Sequence, residues 1–224
     1  DCGRCGMTRA VVSLCDLTGN FVRPWAEAGY ECFCVDIEHS IRRDRVEQVG
    51  AGRIHYVWGD VRTWAPPAGV EIVFGAAWTP CTNVAGSGAR DFAKKGGYML
   101  RDALEMFEAG RQVLKWSGAP SFSENPVGVL SSIPHTGKPD HYFDPSDYAA
   151  LCEDDNYSKK TCVWAYNGFV MPEKCPAPWL GEPDDRIHKA TPGDGRADFR
   201  SATPMGFSRA VFNANAPHLR AVKA

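Results

Sequence analysis

No stretch of this 224-residue chain carries the roughly 20 consecutive apolar residues that a membrane-spanning helix needs, so helical membrane proteins are excluded. Nor does any segment join a basic start, an apolar middle and a small-residue cleavage site, and the sequence predicts a soluble chain of the cytoplasm. Excess positive charge is also missing. The formal net charge is -2, which leaves no global field to attract nucleic acid, so any such contact has to be local. Arg42-Arg43-Asp44-Arg45, Arg90 with Lys94-Lys95, Lys159-Lys160 and the span 186–200 are the candidate basic surfaces, each also readable as a solvated face. Paired cysteine spacing is absent apart from Cys2 and Cys5. Nine cysteines, an odd number, suggest reduced thiols rather than a secreted disulfide scaffold. No metal site is expected, because Cys2 and Cys5 lack a second pair and Cys152, Cys162, Cys175 and His188 are irregularly spaced. Internal repeats are lacking too. Residues 1–6 read as an upstream extension, with Met7 as the natural start.

What is present is an alternation of apolar runs and helical spacing. Residues 10–16 read as a buried strand closed by Leu17-Thr18-Gly19-Asn20, and residues 21–29 have helical spacing that stops at Gly29. Residues 31–36 form a second strand ending in Asp36, about 20 residues beyond the first strand, as in a nucleoside-binding β-α-β unit. In that reading Asp36 accepts hydrogen bonds from ribose hydroxyls, Ile37 covers an adenine face, and the Gly19 turn lets backbone approach a ligand. Residues 53–61 make a third strand, after which Asp60 accepts from the adenine amine and the Val61 amide serves a ring nitrogen. The turn has too few glycines for a pyrophosphate loop, and Asp16 would repel one. A cofactor with a cationic or zwitterionic tail, such as S-adenosylmethionine, suits it better than NAD. A purely structural β-α-β unit with a capping Asp is the alternative.

The run 71–77 then delivers Trp78-Thr79-Pro80-Cys81 to a small, polar, Gly-rich loop, at the strand end where open α/β sheets place their chemistry. Cys81 could also be one more buried small hydrophobe. A helix is predicted over 98–116, followed by the strand 121–126, which ends in Glu124-Asn125-Pro126. A further strand spans 160–166. Residues 171–200 have no periodicity, and helical spacing returns over 201–224 after Thr203-Pro204, an expected N-cap. A thiol beside a carboxylic acid has a specific use: it attacks an electron-poor ring carbon while the acid serves the ring nitrogen that receives charge. Cytosine is such a ring, with C6 accepting the thiolate and C5 becoming nucleophilic.

Pro80-Cys81 and Glu124-Asn125, in this order and separation, resemble the nucleophile and base-binding motifs of the DNA cytosine-5 methyltransferase family, especially its short phage and metagenomic branch. The resemblance covers residues 11–215. Asp16-Leu17-Thr18-Gly19-Asn20 resembles the first cofactor motif, Asp36 with Ile37 and Asp60 with Val61 the next two. Residues 85–88 resemble the mobile loop that closes over flipped DNA, Lys159-Lys160-Thr161 the Gln-x-Arg-x-Arg element, and residues 200–215, with Ser201 and Thr203, the closing cofactor motif. The sequence departs from the family in lacking two motif glycines, in having Thr79 before Pro80 and Pro126 after Asn125, and in carrying lysines for arginines.

The resemblance implies a doubly wound, mostly parallel α/β sheet of Rossmann-like methyltransferase type. Residues 7–166 would form the catalytic and cofactor-binding core, 167–199 a reduced target-recognition segment, and 200–224 a C-terminal segment returning to the core. It implies methyl transfer from S-adenosylmethionine to C5 of cytosine in double-stranded DNA, with the base flipped and Cys81 bonded to its C6. Glu124 would serve N3 and the amine, Asn125 would order the loop, and Lys160 or its neighbour would lower the thiol pKa. Pro80 would join the cofactor-binding residues. The short recognition segment implies slight sequence specificity, a specificity partner or a homo-oligomer, in a bacterium or phage-infected cell. The same chemistry on another nucleic acid or with a modified cofactor, and a non-catalytic DNA-binding module, remain open alternatives.

Overall fold

A computed structural model describes residues 7–86, 92–186 and 202–220, with backbone alone at 92–95 and 217–220. The elements in chain order are β1 (Thr8–Leu14), α1 (Arg23–Glu27), β2 (Glu31–Asp36), β3 (Arg45–Val49), β4 (Gly52–Trp58), β5 (Val70–Ala77), α2 (Phe92–Ser117), β6 (Ser121–Pro126), β7 (His141–Phe143), β8 (Thr161–Tyr166) and α3 (Met205–Arg220). The strands form one eight-stranded sheet in the order β3-β4-β2-β1-β5-β6-β8-β7. The five strands β4, β2, β1, β5 and β6 are mutually parallel. The apolar runs of β1 and β5, at the centre of the sheet, reflect burial on both faces. Strand β3 pairs antiparallel with β4, and β8 runs antiparallel between β6 and β7.

Alternate side chains of β1 show how the two faces are filled. Val11 enters a core with Phe21 and Trp25 beside α1 and with Phe207 and Val211 of α3, whereas Val12 and Leu14 enter one with Phe107 and Leu114 of α2. On the first face Trp25 stacks on Phe74 at 4.6 Å between centroids and meets Phe212 edge-on at 5.1 Å. Burying an aromatic side chain of this kind contributes about 1.5–3 kcal/mol. Phe207 lies 3.9 Å from Phe143, 5.4 Å from Tyr148 and 5.8 Å from Phe122, which docks the last helix onto strands formed much earlier in the chain.

Three details differ from the sequence reading. Strands β3 and β7 are additions, both at edges, where half the surface faces solvent and no apolar run is required. Helix α2 begins at Phe92 and breaks at Gly96, whose φ of 73° and ψ of 167° are not helical, so the regular helix starts close to the predicted Tyr98. The first turn of α3 is capped by a distant carboxylate, Gly206 N–H donating to Asp155 Oδ2 at 2.6 Å. Helix α3 begins at Met205, so Thr203 falls one residue too early to be its N-cap.

Candidate active site at the carboxyl ends of the strands

Strand order reverses between β1 and β5, with β2 on one side and β6 on the other, so a crevice opens where those strands end. Everything that the motifs single out on β1, β2, β4, β5 and β6 arrives at this edge. Because β8 runs the other way, its start lies there too, with Asn125 beside Cys162 and Pro126 beside Thr161.

Trp78 anchors the approach to Cys81. Its N–H donates to the Leu14 carbonyl at 2.9 Å, and its indole N–H donates to Ser13 Oγ at 3.0 Å. The ring packs against Phe21 and Phe122. Asn125 Nδ2 donates to the Thr79 carbonyl at 2.8 Å, tying the end of β6 to the residue two before Cys81. Beyond Cys81 the chain turns, the N–H groups of Val84 and Ala85 donating to the Cys81 carbonyl at 3.0 and 2.8 Å. It then pairs with the segment after Glu124-Asn125: Gly86 N–H donates to Val127 O and Val129 N–H to Val84 O, both at 2.9 Å. Ala85 and Gly128 form an antiparallel bridge so close that a Cβ on residue 128 would lie 1.9 Å from Val84 O. Cys81 itself is half-buried, against the α2-side core.

Glu124 is 8% exposed, and its carboxyl makes no hydrogen bond among the described residues. Burial pushes its pKa above the ordinary carboxylate range, opposed by the charge of Lys159. Burial of this kind disfavours the charged carboxylate. Of the two lysines, Lys159 therefore acts on Glu124. The Lys160 ammonium lies 5.5 Å from the centre of the Tyr142 ring. Adjacent residues entering a strand point to opposite faces, which separates the two. Among the described residues, Thr79 Oγ1, Asn83 Oδ1 and Asn125 Oδ1 are also buried without hydrogen-bond partners, so unused polar capacity gathers around the cysteine segment.

On the other side of the crevice, Asp16 is 4% exposed and occupied by its own turn. Its Oδ1 accepts from Thr18 N–H at 3.0 Å, Thr18 Oγ1 at 3.1 Å and Gly19 N–H at 2.8 Å, while Oδ2 accepts from Ser13 Oγ at 2.7 Å. Gly19 has φ of 71°, and a Cβ there would sit 2.7 Å from the Tyr56 hydroxyl. That conformation and the Tyr56 contact both call for glycine here. Leu17 is exposed and Asn20 half-buried at the same turn. Asp36 Oδ1 accepts from Glu38 N–H at 2.9 Å, and its other oxygen takes no hydrogen bond among the described residues. Ile37 beside it is 58% exposed, and the exposed Trp58 is paired with Asp36 across the strands.

Asp60 is engaged more fully than its expected role requires. Arg62 grips both its oxygens, at 2.6 Å for the closest contact, and reaches Asp102 of α2 at 2.8 Å. These bonds hold the Asp60 carboxyl below its usual pKa. Val61 is buried, and its N–H has no partner among the described residues. The acids act together on Cys15: burial first, then Asp36, Asp60 and Asp16, push that thiol up to about 12. The crevice is thus electronegative on its β1–β4 side.

Pro80 is exposed beside Cys81, and Thr203 is buried ahead of α3. Ser201, the span 87–91 that includes Ser87 and Gly88 of the loop motif, and the basic span 187–200 lie outside the described residues. Among the described residues, no group of three or more His, Cys, Asp or Glu side chains is placed to hold a metal ion. No described helix is long and apolar enough to cross a membrane. Sequence reasoning missed Ser13, Trp78 and Arg62. Only Arg62, two residues after Asp60 and within reach of an Asp–Arg fork across a turn, carried a local signal.

No family model matches the sequence, and no curated protein matches it.

Proposed function

We propose that this chain transfers a methyl group from S-adenosylmethionine to C5 of cytosine in DNA, with Cys81 as the nucleophile. The observation that carries the reading is Glu124: a buried acid with no hydrogen-bond partner among the described residues, its pKa raised by burial, on a strand end bonded through Asn125 to the segment bearing Cys81. A single acid of that kind beside a thiol is suited to a ring that accepts a nucleophile at carbon and a proton at nitrogen. The sheet order supports a use other than dinucleotide binding, since the position beyond β6 is taken by the reversed strand β8 rather than by a sixth parallel strand.

The crevice fits the cofactor in two respects. The spare Asp36 oxygen, exposed Ile37 and the Val61 N–H suit a nucleoside, and the acids that burden Cys15 suit a cationic sulfonium and ammonium. When bound, S-adenosylmethionine supplies an electrophilic methyl group. The chain's own groups do the rest. Cys81, as thiolate, forms a bond to C6 of a cytosine flipped from the duplex. Glu124 supplies the proton at N3, so that the electron pair displaced from the C5–C6 double bond is available at C5. Asn125 holds Thr79, and through it Pro80 and Cys81, at a fixed distance from Glu124. After transfer, loss of the C5 proton to solvent expels the Cys81 thiolate, and return of the N3 proton to Glu124 restores the neutral ring and the acid.

Purified protein incubated with tritiated S-adenosylmethionine and a duplex containing 5-fluorocytosine should give a denaturation-resistant labelled adduct that is lost in Cys81→Ser. An equal adduct in that variant, or none with the native chain on duplexes of varied sequence, would overturn the proposal. The closed turn at Asp16 favours one second reading. The Thr18 and Gly19 N–H groups are spent internally, leaving fewer donors for the methionine-end carboxylate, and a cofactor altered at that end would keep its nucleoside contacts. Mass analysis of product nucleosides separates the two, since a larger C5 substituent would appear.

A further inference from the structure

A second concave surface lies at the opposite edge of the sheet, where β6 begins and β8 ends, so it is separate from the Cys81 crevice. Its cavity is about 490 Å³, within the roughly 300–1,000 Å³ typical of small-ligand sites. The floor is formed by Trp164, Ala165 and Tyr166 of β8, and the walls by α2 and residues 136–140. Three cations line it: Arg111, Lys115 and Lys138. Arg111 is 8% exposed and fixed, its Nη2 2.6 Å from Glu108 Oε2 and its Nη1 3.4 Å from the carbonyls of His135 and Thr136, which pins the 133–137 segment to α2. Lys115 and Lys138 make no ion pair among the described residues. The Lys115 ammonium stands 5.3 Å from the centre of the Tyr166 ring, which orients it over the floor.

The lining carries one carboxylate, Asp140, whose Oδ2 accepts from Ala165 N–H at 2.8 Å, and Glu108 stands behind Arg111. Positive charge is therefore concentrated at one hollow of a chain whose net charge is -2. Lys115, in the last turn of α2, is accounted for in part by the helix dipole. Lys138 sits on a loop and has no such explanation. Like charges gathered around a hollow repel one another until an anion enters, and a dianion lying between two lysines satisfies both.

We propose that this cavity binds a phosphorylated small molecule of nucleotide size, its phosphates between Lys115 and Lys138 and its body over Tyr166. The test titrates the full chain by calorimetry with ADP and with inorganic pyrophosphate. Saturable binding that weakens with salt, and that falls at least tenfold in Lys115→Gln/Lys138→Gln, is the expected result. That variant should keep the native melting temperature and the labelled adduct yield, since neither lysine is part of the Cys81 crevice. Absence of saturable binding, or equal affinity in the double variant, would overturn the proposal. So would ADP binding lost in Asp36→Ala instead, which would locate it at the other edge. A short DNA duplex whose binding depends on the two lysines while ADP and pyrophosphate fail to bind would reassign the cavity to a nucleic-acid backbone and sink the small-molecule assignment.

Discussion

Gly128→Ala is the sharpest probe of how the Cys81 segment is held. At φ of -176° residue 128 is extended, a conformation any residue adopts, so the substitution carries no intrinsic backbone strain. The penalty comes wholly from contact: the new Cβ would lie 1.9 Å from Val84 O and 2.8 Å from Ala85 Cα. Both are backbone atoms, and no change of rotamer relieves them. The bridge has to open, breaking the Gly86–Val127 and Val129–Val84 hydrogen bonds. At about 0.5–1.5 kcal/mol net for each, the loss is about 1–3 kcal/mol. With a melting shift of about 2–4 °C per kcal/mol for a chain of this size, the midpoint should fall by about 2–12 °C. Displacement of residues 84–86 should also slow formation of the 5-fluorocytosine adduct by more than tenfold, while cofactor affinity, set near Asp36 and Val61, stays within about twofold of native. Calorimetric melting and single-turnover adduct kinetics read the two effects. A variant with native melting and native adduct rate would refute the bridge, and a lowered midpoint with an unchanged adduct rate would refute its coupling to the chemistry.

Three further outcomes follow from the same geometry. Asn125→Ala leaves the Thr79 carbonyl without its donor and should cost about 1–3 kcal/mol in urea unfolding, with a larger loss of adduct rate than of cofactor affinity; an unchanged rate would remove Asn125 from the positioning role. Glu124 has its folded pKa raised by burial, so its stabilising contribution is complete below the unfolded value of about 4.3 and is lost as pH rises through the folded value. The native chain should therefore lose stability relative to Glu124→Gln over that window, and parallel pH–stability curves would contradict it. Arg62→Ala frees both Asp60 oxygens and removes a cation from the electronegative side, so S-adenosylmethionine should bind severalfold more tightly; because the ion pairs are partly exposed, stability should fall by about 1 kcal/mol or less. Weaker cofactor binding in that variant would mean that Asp60 does not face the adenine amine.

What could be read from the sequence was the part that burial dictates. Strands β1, β5 and β8 are buried over most of their length, so their apolar runs announce them, whereas β2, β4 and β6 mix polar residues into the run and are announced by their place in the alternation. Strand β3, with Arg45, Glu47 and Gln48 and an exposed Val46, and the three-residue β7 are fixed by pairing with a neighbour, which no local pattern encodes. The candidate site divides in the same way. Cys81, Glu124, Asn125 and Asp36 are legible because each follows an apolar run. The charge of Lys159 on Glu124, and the grip of Arg62 on Asp60, depend on side-chain direction beyond a strand end. The acceptance by Asp16 of hydrogen bonds from Ser13, Thr18 and Gly19 is a turn geometry that no apolar pattern encodes.

The seat of Phe207 among Phe122, Phe143 and Tyr148 has a consequence for synthesis. The rings that receive it are made about 60 to 85 residues earlier, roughly 3–17 s at ordinary elongation rates, and for that interval they lack the cover that Phe207 gives. A nascent chain of this protein therefore displays an aromatic face late into translation, a target for chaperones that bind apolar surface, and its native state awaits the arrival of a single phenylalanine.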